Sequence, residues 1–186
     1  MAVASERRFR GNKVISTLNP PVTIRVDRAL FPLGHLRFTL SGVAEVELFA
    51  FLQGRAQQAD RLLAIQFERF RDDNAYIYEY PQARPIEIGG LPFVTDTMQL
   101  SLVSPVPDSD IGQLLGLVQA RGYHLPSYAI VQRFMHLADD AHRKELLLLY
   151  AEAVQPGATS PHDAAAHQAF QDRALASFRL KPTPGA

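Results

Sequence analysis

Three carboxylates lie on what read as two neighbouring strands: Glu45 and Glu47 in AEVELFAFL (44–52), and Glu68 in RLLAIQFERF (61–70). Carboxylates that share a site can do acid–base work or ligate a metal, because each raises the other's pKa and a cation relieves both. Side chains alternate between the faces of a strand. Val46, Leu48, Ala50 and Leu52 form one apolar face, and Leu63, Ile65 and Phe67 form another. Matching these faces sets Leu48 opposite Ile65 and Val46 opposite Phe67. The second face then holds Phe49 and Phe51 beside Ala64 and Leu62, with Glu45 and Glu47 beside Gln66 and Glu68. Two carboxylates about 5 Å apart repel by under ~1 kcal/mol in water but by about 3 kcal/mol at an effective dielectric of 20. Exposed, the trio is an ordinary solvated face. Partly buried, it needs a cation, an arginine such as Arg37, or a shared proton.

The stretch NAYIYEYP (74–81) adds Tyr76, Tyr78 and Tyr80 on one side of an extended run. Their spacing of about 6.7 Å suits stacking on a flat ligand, and tyrosine is equally a good strand residue that wets its hydroxyl at a sheet edge. Phenylalanines, tyrosine hydroxyls and carboxylates on one surface suit a small amphipathic ligand. The ligand-binding candidates are therefore Glu45, Glu47, Phe49, Phe51, Gln66, Glu68, Tyr76, Tyr78 and Tyr80.

Other chemistry finds less support. The chain has no cysteine, which excludes thiolate catalysis, disulfides and Cys-rich zinc sites. It has no G-x-S-x-G elbow, S-x-x-K, Walker A loop, G-x-G-x-x-G or H-E-x-x-H. His142 and Glu145, with Asp139 and Asp140 before them, read as a solvated turn. Asp163 and His167 read as an exposed helix pair, and His35, His124 and His136 as capping or packing groups. No metal or cofactor is expected.

Lys+Arg and Asp+Glu are 19 each in 186 residues, so no whole-chain field favours nucleic acid or a membrane, and neither is expected as a partner. No apolar run approaches the roughly 20 residues of a membrane span, and the start MAVASERRFRGNKVIS lacks the apolar core of a secretory signal. The expected location is the cytoplasm. Arg7, Arg8, Arg10 and Lys13 make residues 1–19 a basic arm, read as flexible and solvated.

These residues need elements to position them. VTIRV (22–26), LRFTL (36–40) and TMQLSLV (97–103) alternate like strands, and two short extended pieces flank Gly89-Gly90. Asp108 or Ser109 can cap a helix over about 109–121, with Ile111, Leu114, Leu115 and Val118 on one face and Gly122 as its stop. Residues 128–154 suit a second hairpin turning at ADDAHRK, with helix as the competing reading of HRKELLLLYAEA. QPGAT is a linker. Ser160-Pro161 opens a helix to about Arg179 whose narrow stripe (Phe170, Ala174, Phe178) lies across the domain or docks on a second copy.

The expected fold is α+β: a curved, mainly antiparallel sheet of about seven or eight strands, one packed helix and a C-terminal helix. The body spans 20–155, and 156–186 is linker, helix and tail. The expected function is that of a small binding or accessory domain, recognising a protein partner or an amphipathic small molecule on a sheet face. The alternatives are an enzyme using Glu45, Glu47 or Glu68 as acid/base or metal ligand, with Asp96 or His136, and a structural homo-oligomer joined through the C-terminal helix.

Overall fold

The computed structural model describes residues 7–154 and 164–183. The chain is α+β and almost wholly antiparallel. Seven strands form one sheet in the order β4 (Phe31–Leu40), β5 (Ala44–Arg55), β6 (Gln58–Phe70), β10 (Lys144–Ala153), β9 (Tyr128–Leu137), β8 (Leu91–Ser101), β7 (Arg84–Ile88). Four more form a second sheet in the order β1 (Arg7–Phe9), β2 (Lys13–Ser16), β3 (Val22–Val26), β11 (Phe178–Pro182). Helix α1 (Asp110–Ala120) joins β8 to β9, and α2 (Ala164–Ala176) precedes β11.

The central strands of the large sheet, β5, β6, β10 and β9, are covered on both faces, and this explains their run-on apolar sequences. One face meets the small sheet through Phe49, Phe51, Leu63, Ile65, Phe134, Leu146 and Leu148 from the large sheet, with Val14, Ile24, Phe178 and Leu180 from the small one. The other face meets α1: Leu114 and Val118 pack on Leu48, Ala50, Leu62, Ala64, Val131 and Leu149. The helix forms where expected. Ser109 Oγ accepts the Gly112 amide at 3.0 Å, and Gly122 at φ 82° lies just beyond the C-cap Arg121.

Residues 128–154 form the expected hairpin, and the four leucines 146–149 are all buried because both faces of β10 are covered. The stretch read as a flexible basic arm instead contributes β1 and β2, with Val14 fully buried. The C-terminal helix stops at Ala176, short of Arg179, and Phe178 lies on a strand beside β3. Phe170 and Ala174 are buried within the chain itself, Phe170 against Tyr150 at 5.8 Å between ring centroids. The cap expected at Ser160-Pro161 and the Asp163–His167 pair rest on residues outside those described. No helix among the described residues is long and apolar enough to cross a membrane.

The β5–β6 hairpin has a different register from the one its pattern suggests. Leu48 stands opposite Gln66, Val46 opposite Glu68, and Phe49 opposite Ile65. A two-residue turn at Ala56-Gln57, both at positive φ, pairs Arg55 with Gln58 and Gly54 with Ala59. Continued unbroken, that pairing would set Leu48 opposite Ile65. A bulge intervenes, so that Gln53 faces Arg61 and Asp60 is the extra residue. One added residue exchanges the faces of everything beyond it. Gly54 makes the bulge feasible, since a Cβ there would lie 2.4 Å from the Gln58 carbonyl oxygen.

Candidate functional site

The bulge divides the carboxylate trio. Glu45 and Glu47 share the face of Phe49, while Gln66 and Glu68 share the α1 face. Glu45 is an exposed partner of Arg69 at 2.8 Å. Glu47 is largely covered and takes three basic side chains as neighbours, two of them arginines: Arg37 at 2.8 Å, His35 Nε2 at 3.0 Å and Arg7 at 3.4 Å. Arg7 also lies over the Phe67 ring, its guanidinium carbon 4.2 Å from the centroid. The arginine called for beside a covered carboxylate is thus present. Phe49 and Phe51 are core residues between the sheets, at 1% and 0% exposure, and offer no surface to a ligand.

Glu68 has a different neighbour. Across the β6–β10 ladder it stands directly opposite Glu145, and both are buried, at 8% and 4% exposure. Such cross-strand Cβ atoms lie about 4.5–5.5 Å apart. The 74–81 stretch is not a strand. Residues 75–80 form an irregular extended segment laid over this pair, because the β9–β10 turn supplies its hydrogen bonds. The Tyr78 amide donates to the His142 carbonyl at 2.8 Å, and Arg143 donates to the Tyr76 and Arg71 carbonyls at 2.9 and 2.6 Å. Tyr78 stacks on Phe70 at 4.3 Å between centroids. Its hydroxyl donates to Glu68 at 2.8 Å, and the Tyr80 hydroxyl donates to Glu145 at 2.5 Å. Gln66 donates to the other Glu68 oxygen at 2.6 Å. Tyr76 points elsewhere and is 58% exposed.

The electrostatics follow from burial. Desolvation, with the charge of Glu68 second, pushes Glu145 up to about 8, against the opposing Tyr80 hydrogen bond and Arg133. Burial also raises Glu68, partly offset by its bonds from Tyr78 and Gln66. Tyr78 and Tyr80 are raised by burial and by the carboxylates beside them, so both stay protonated donors. At neutral pH the pair therefore keeps a proton. Arg133, next on this face, is held by Asp96 through bonds of 2.6 and 2.9 Å.

The enzyme constellation does not assemble. Glu45 and Glu47 face one way and Glu68 the other, Asp96 is bound to Arg133, and His136 Nδ1 contacts the Pro92 carbonyl at 2.7 Å. Among the described residues no group of three His, Cys, Asp or Glu side chains could hold a metal. Gln66, Glu68, Tyr78 and Tyr80 are brought together as one cluster. Glu145 was missed as its member, although alternation along KELLLLY puts it on the buried face of Leu147 and Leu149.

Two of the clefts among the described residues are large enough for a small molecule. One, of about 610 Å³, is mainly apolar and is lined by Tyr78, Tyr80, Pro81, Pro85, Pro92, Met135 and Leu137, with Glu79 and His142 also contributing. The other, of about 740 Å³, is flanked by the ion pairs of Glu45 and Glu47. An apolar space of about 40 Å³ under α1 is too small for such a ligand. No protein-family model, curated protein or solved structure matches this chain.

Proposed function

We propose that this protein is a small binding domain that takes an amphipathic small molecule in the Tyr78–Pro81 cleft. One observation carries the reading: a mainly apolar cleft of about 610 Å³ has as one wall a segment anchored by two tyrosine hydroxyls to a buried carboxyl pair. Its size falls within the range of small-molecule sites, and a few fixed polar groups beside an apolar surface are their usual composition. The apolar part of the ligand lies on Pro92, Val94, Met135 and Leu137, and its polar group lies towards Glu79 and His142. The protein-partner reading keeps exposed Tyr76 and Ile77 but loses Phe49 to the core.

The test compares native with denaturing mass spectrometry and titrates the amphipathic dye anilinonaphthalene sulfonate. Wild type is expected to retain a small molecule or bind the dye saturably. Val94→Trp and Leu137→Trp, which fill the cleft, are expected to abolish either signal without lowering the unfolding temperature by more than a few degrees. Dye binding unchanged in both well-folded variants, with no retained mass, would refute this site.

A further inference from the structure

The outer face of the small sheet carries a concentration of charge that the neutral whole-chain total conceals. Val14, Ser16, Ile24, Val26, Phe178 and Leu180 point inward and are buried. Alternation therefore sends Arg8, Lys13, Ile15, Thr23, Arg25, Arg179 and Lys181 outward. Lys13 pairs with Arg25, and Arg25 with Arg179, so three cations stand in line across three adjacent strands. The parallel row holds Arg8 opposite Ile15, Ile15 opposite Thr23, and Thr23 opposite Lys181. Arg8, Arg25, Arg179 and Lys181 are exposed and Lys13 is half-buried.

Five of the chain's 19 basic residues thus share one face, and among the described residues no carboxylate shares it. None of the five makes an ion pair with a described carboxylate, whereas Arg37, Arg69, Arg133 and Arg173 elsewhere each have one. Asp27, at the end of β3, has its carboxylate engaged by the Ala29 amide. Like charges directly opposite across a ladder are destabilising, so this row is a strain that an anionic partner would relieve.

We infer that the outer face of the β1-β2-β3-β11 sheet docks the phosphate backbone of a nucleic acid, without reading base sequence. Strands about 4.8 Å apart set Lys13, Arg25 and Arg179 side by side in one row, and the row about 6.7 Å away carries Arg8 and Lys181 at its ends. Duplex DNA, with one negative charge per about 1.7 Å of axis, offers such a row more than enough phosphates to engage. Among the described residues this face has no aromatic ring on which a base could stack, so its contacts fall to phosphates. Among the described residues the exposed large apolar side chains that could anchor it in a bilayer, Leu18, Phe31, Tyr76, Ile77, Val103, Val106 and Tyr128, lie off the outward-facing positions of these strands.

The experiment is fluorescence anisotropy of the full chain with a labelled 20-base-pair duplex of mixed sequence, titrated between 50 and 200 mM salt. Five phosphate contacts give a slope of log K against log salt of about −4 to −5. Arg25→Glu/Arg179→Glu is expected to reduce that slope by about two and to weaken binding more than about tenfold at 50 mM salt. Arg55→Glu/Arg84→Glu, the same charge change off the face, is expected to leave the slope nearly unaltered, with thermal melts checking that both variants fold. No wild-type binding at 50 mM salt, or equal loss in both variants, would overturn the assignment. So would binding only to vesicles containing phosphatidylserine, which would make the partner a lipid surface.

Discussion

Replacing Glu145 by glutamine keeps the shape of the buried pair and removes its titration. The amide oxygen still accepts the Tyr80 hydroxyl, and the amide nitrogen can donate towards Glu68 as a protonated carboxyl would. In wild type, Glu145 is raised from its ordinary 4.5 to about 8, so the folded chain holds a proton that the unfolded chain has released. Stability from such a group is complete below the unfolded value and is lost as pH rises through the folded one. The loss is at most about 1.4 kcal/mol per pH unit, roughly 5 kcal/mol over the whole window and roughly 4 kcal/mol of it between pH 5 and 8.5. The raised Glu68 acts in the same direction. Glu145→Gln should therefore match wild type near pH 5 and exceed it by up to roughly 4 kcal/mol above pH 8. Urea unfolding followed by circular dichroism at unit pH steps reads this directly. Groups away from the pair are common to both proteins and cancel in the difference. Two stability curves that run parallel from pH 5 to 8.5 would refute a retained proton on this pair.

Two further predictions concern other parts of the fold. Gly54→Ala forces a Cβ to within 2.4 Å of the Gln58 carbonyl oxygen and should cost about 1–3 kcal/mol, whereas Gly116→Ala in α1 meets nothing within 4 Å and should stabilise by up to about 1 kcal/mol; thermal melts would show opposite shifts. Burial pushes Glu152 up, but hydrogen bonds from Arg173 and Tyr150 outweigh it and hold the carboxylate below its ordinary range, so its contribution is lost as the solution is acidified. Arg173→Ala should then cost about 1 kcal/mol at pH 7, a modest figure because Arg173 is 42% exposed, and less at pH 3; equal losses in urea unfolding at both pH values would contradict this.

What the sequence made legible was whatever had a single local cause. Ser109 and Gly122 bracket α1 because free amides and a left-handed stop are local requirements. The hairpins at Gly89-Gly90 and over residues 138–143 follow from turn chemistry in the same way. The β5–β6 register did not follow, because both strands are apolar on both faces. Leu48 fits opposite Ile65 as well as Phe49 does, and hydrophobic matching cannot choose. The choice is made at Asp60, a polar residue that looks like part of a loop. Nor could local pattern distinguish the tyrosine segment from a strand. Its hydrogen bonds go to His142 and Arg143, more than 60 residues away, and to two buried carboxylates on different strands.

The same limit applies to charge, and it bears on both functional readings. A sum over the chain treats Arg7 and Arg8 alike, yet the pleat sends them to opposite sides of one sheet. Arg7 turns inward and is absorbed by Glu47, Ser16 and the Phe67 ring. Arg8 turns outward to join Lys13, Arg25, Arg179 and Lys181. Carboxylates are sorted by the same rule in reverse: Glu68 and Glu145 go to the α1 face, where burial makes them share a proton rather than attract a cation. A neutral protein is thus divided into a face of unopposed cations and an interior carboxyl pair that is not fully charged. The two lie on different sheets and present different chemistry. Salt should therefore weaken binding at the cationic face and leave the apolar cleft beside Tyr80 nearly unaffected, so a single ionic-strength series on one preparation separates the two sites.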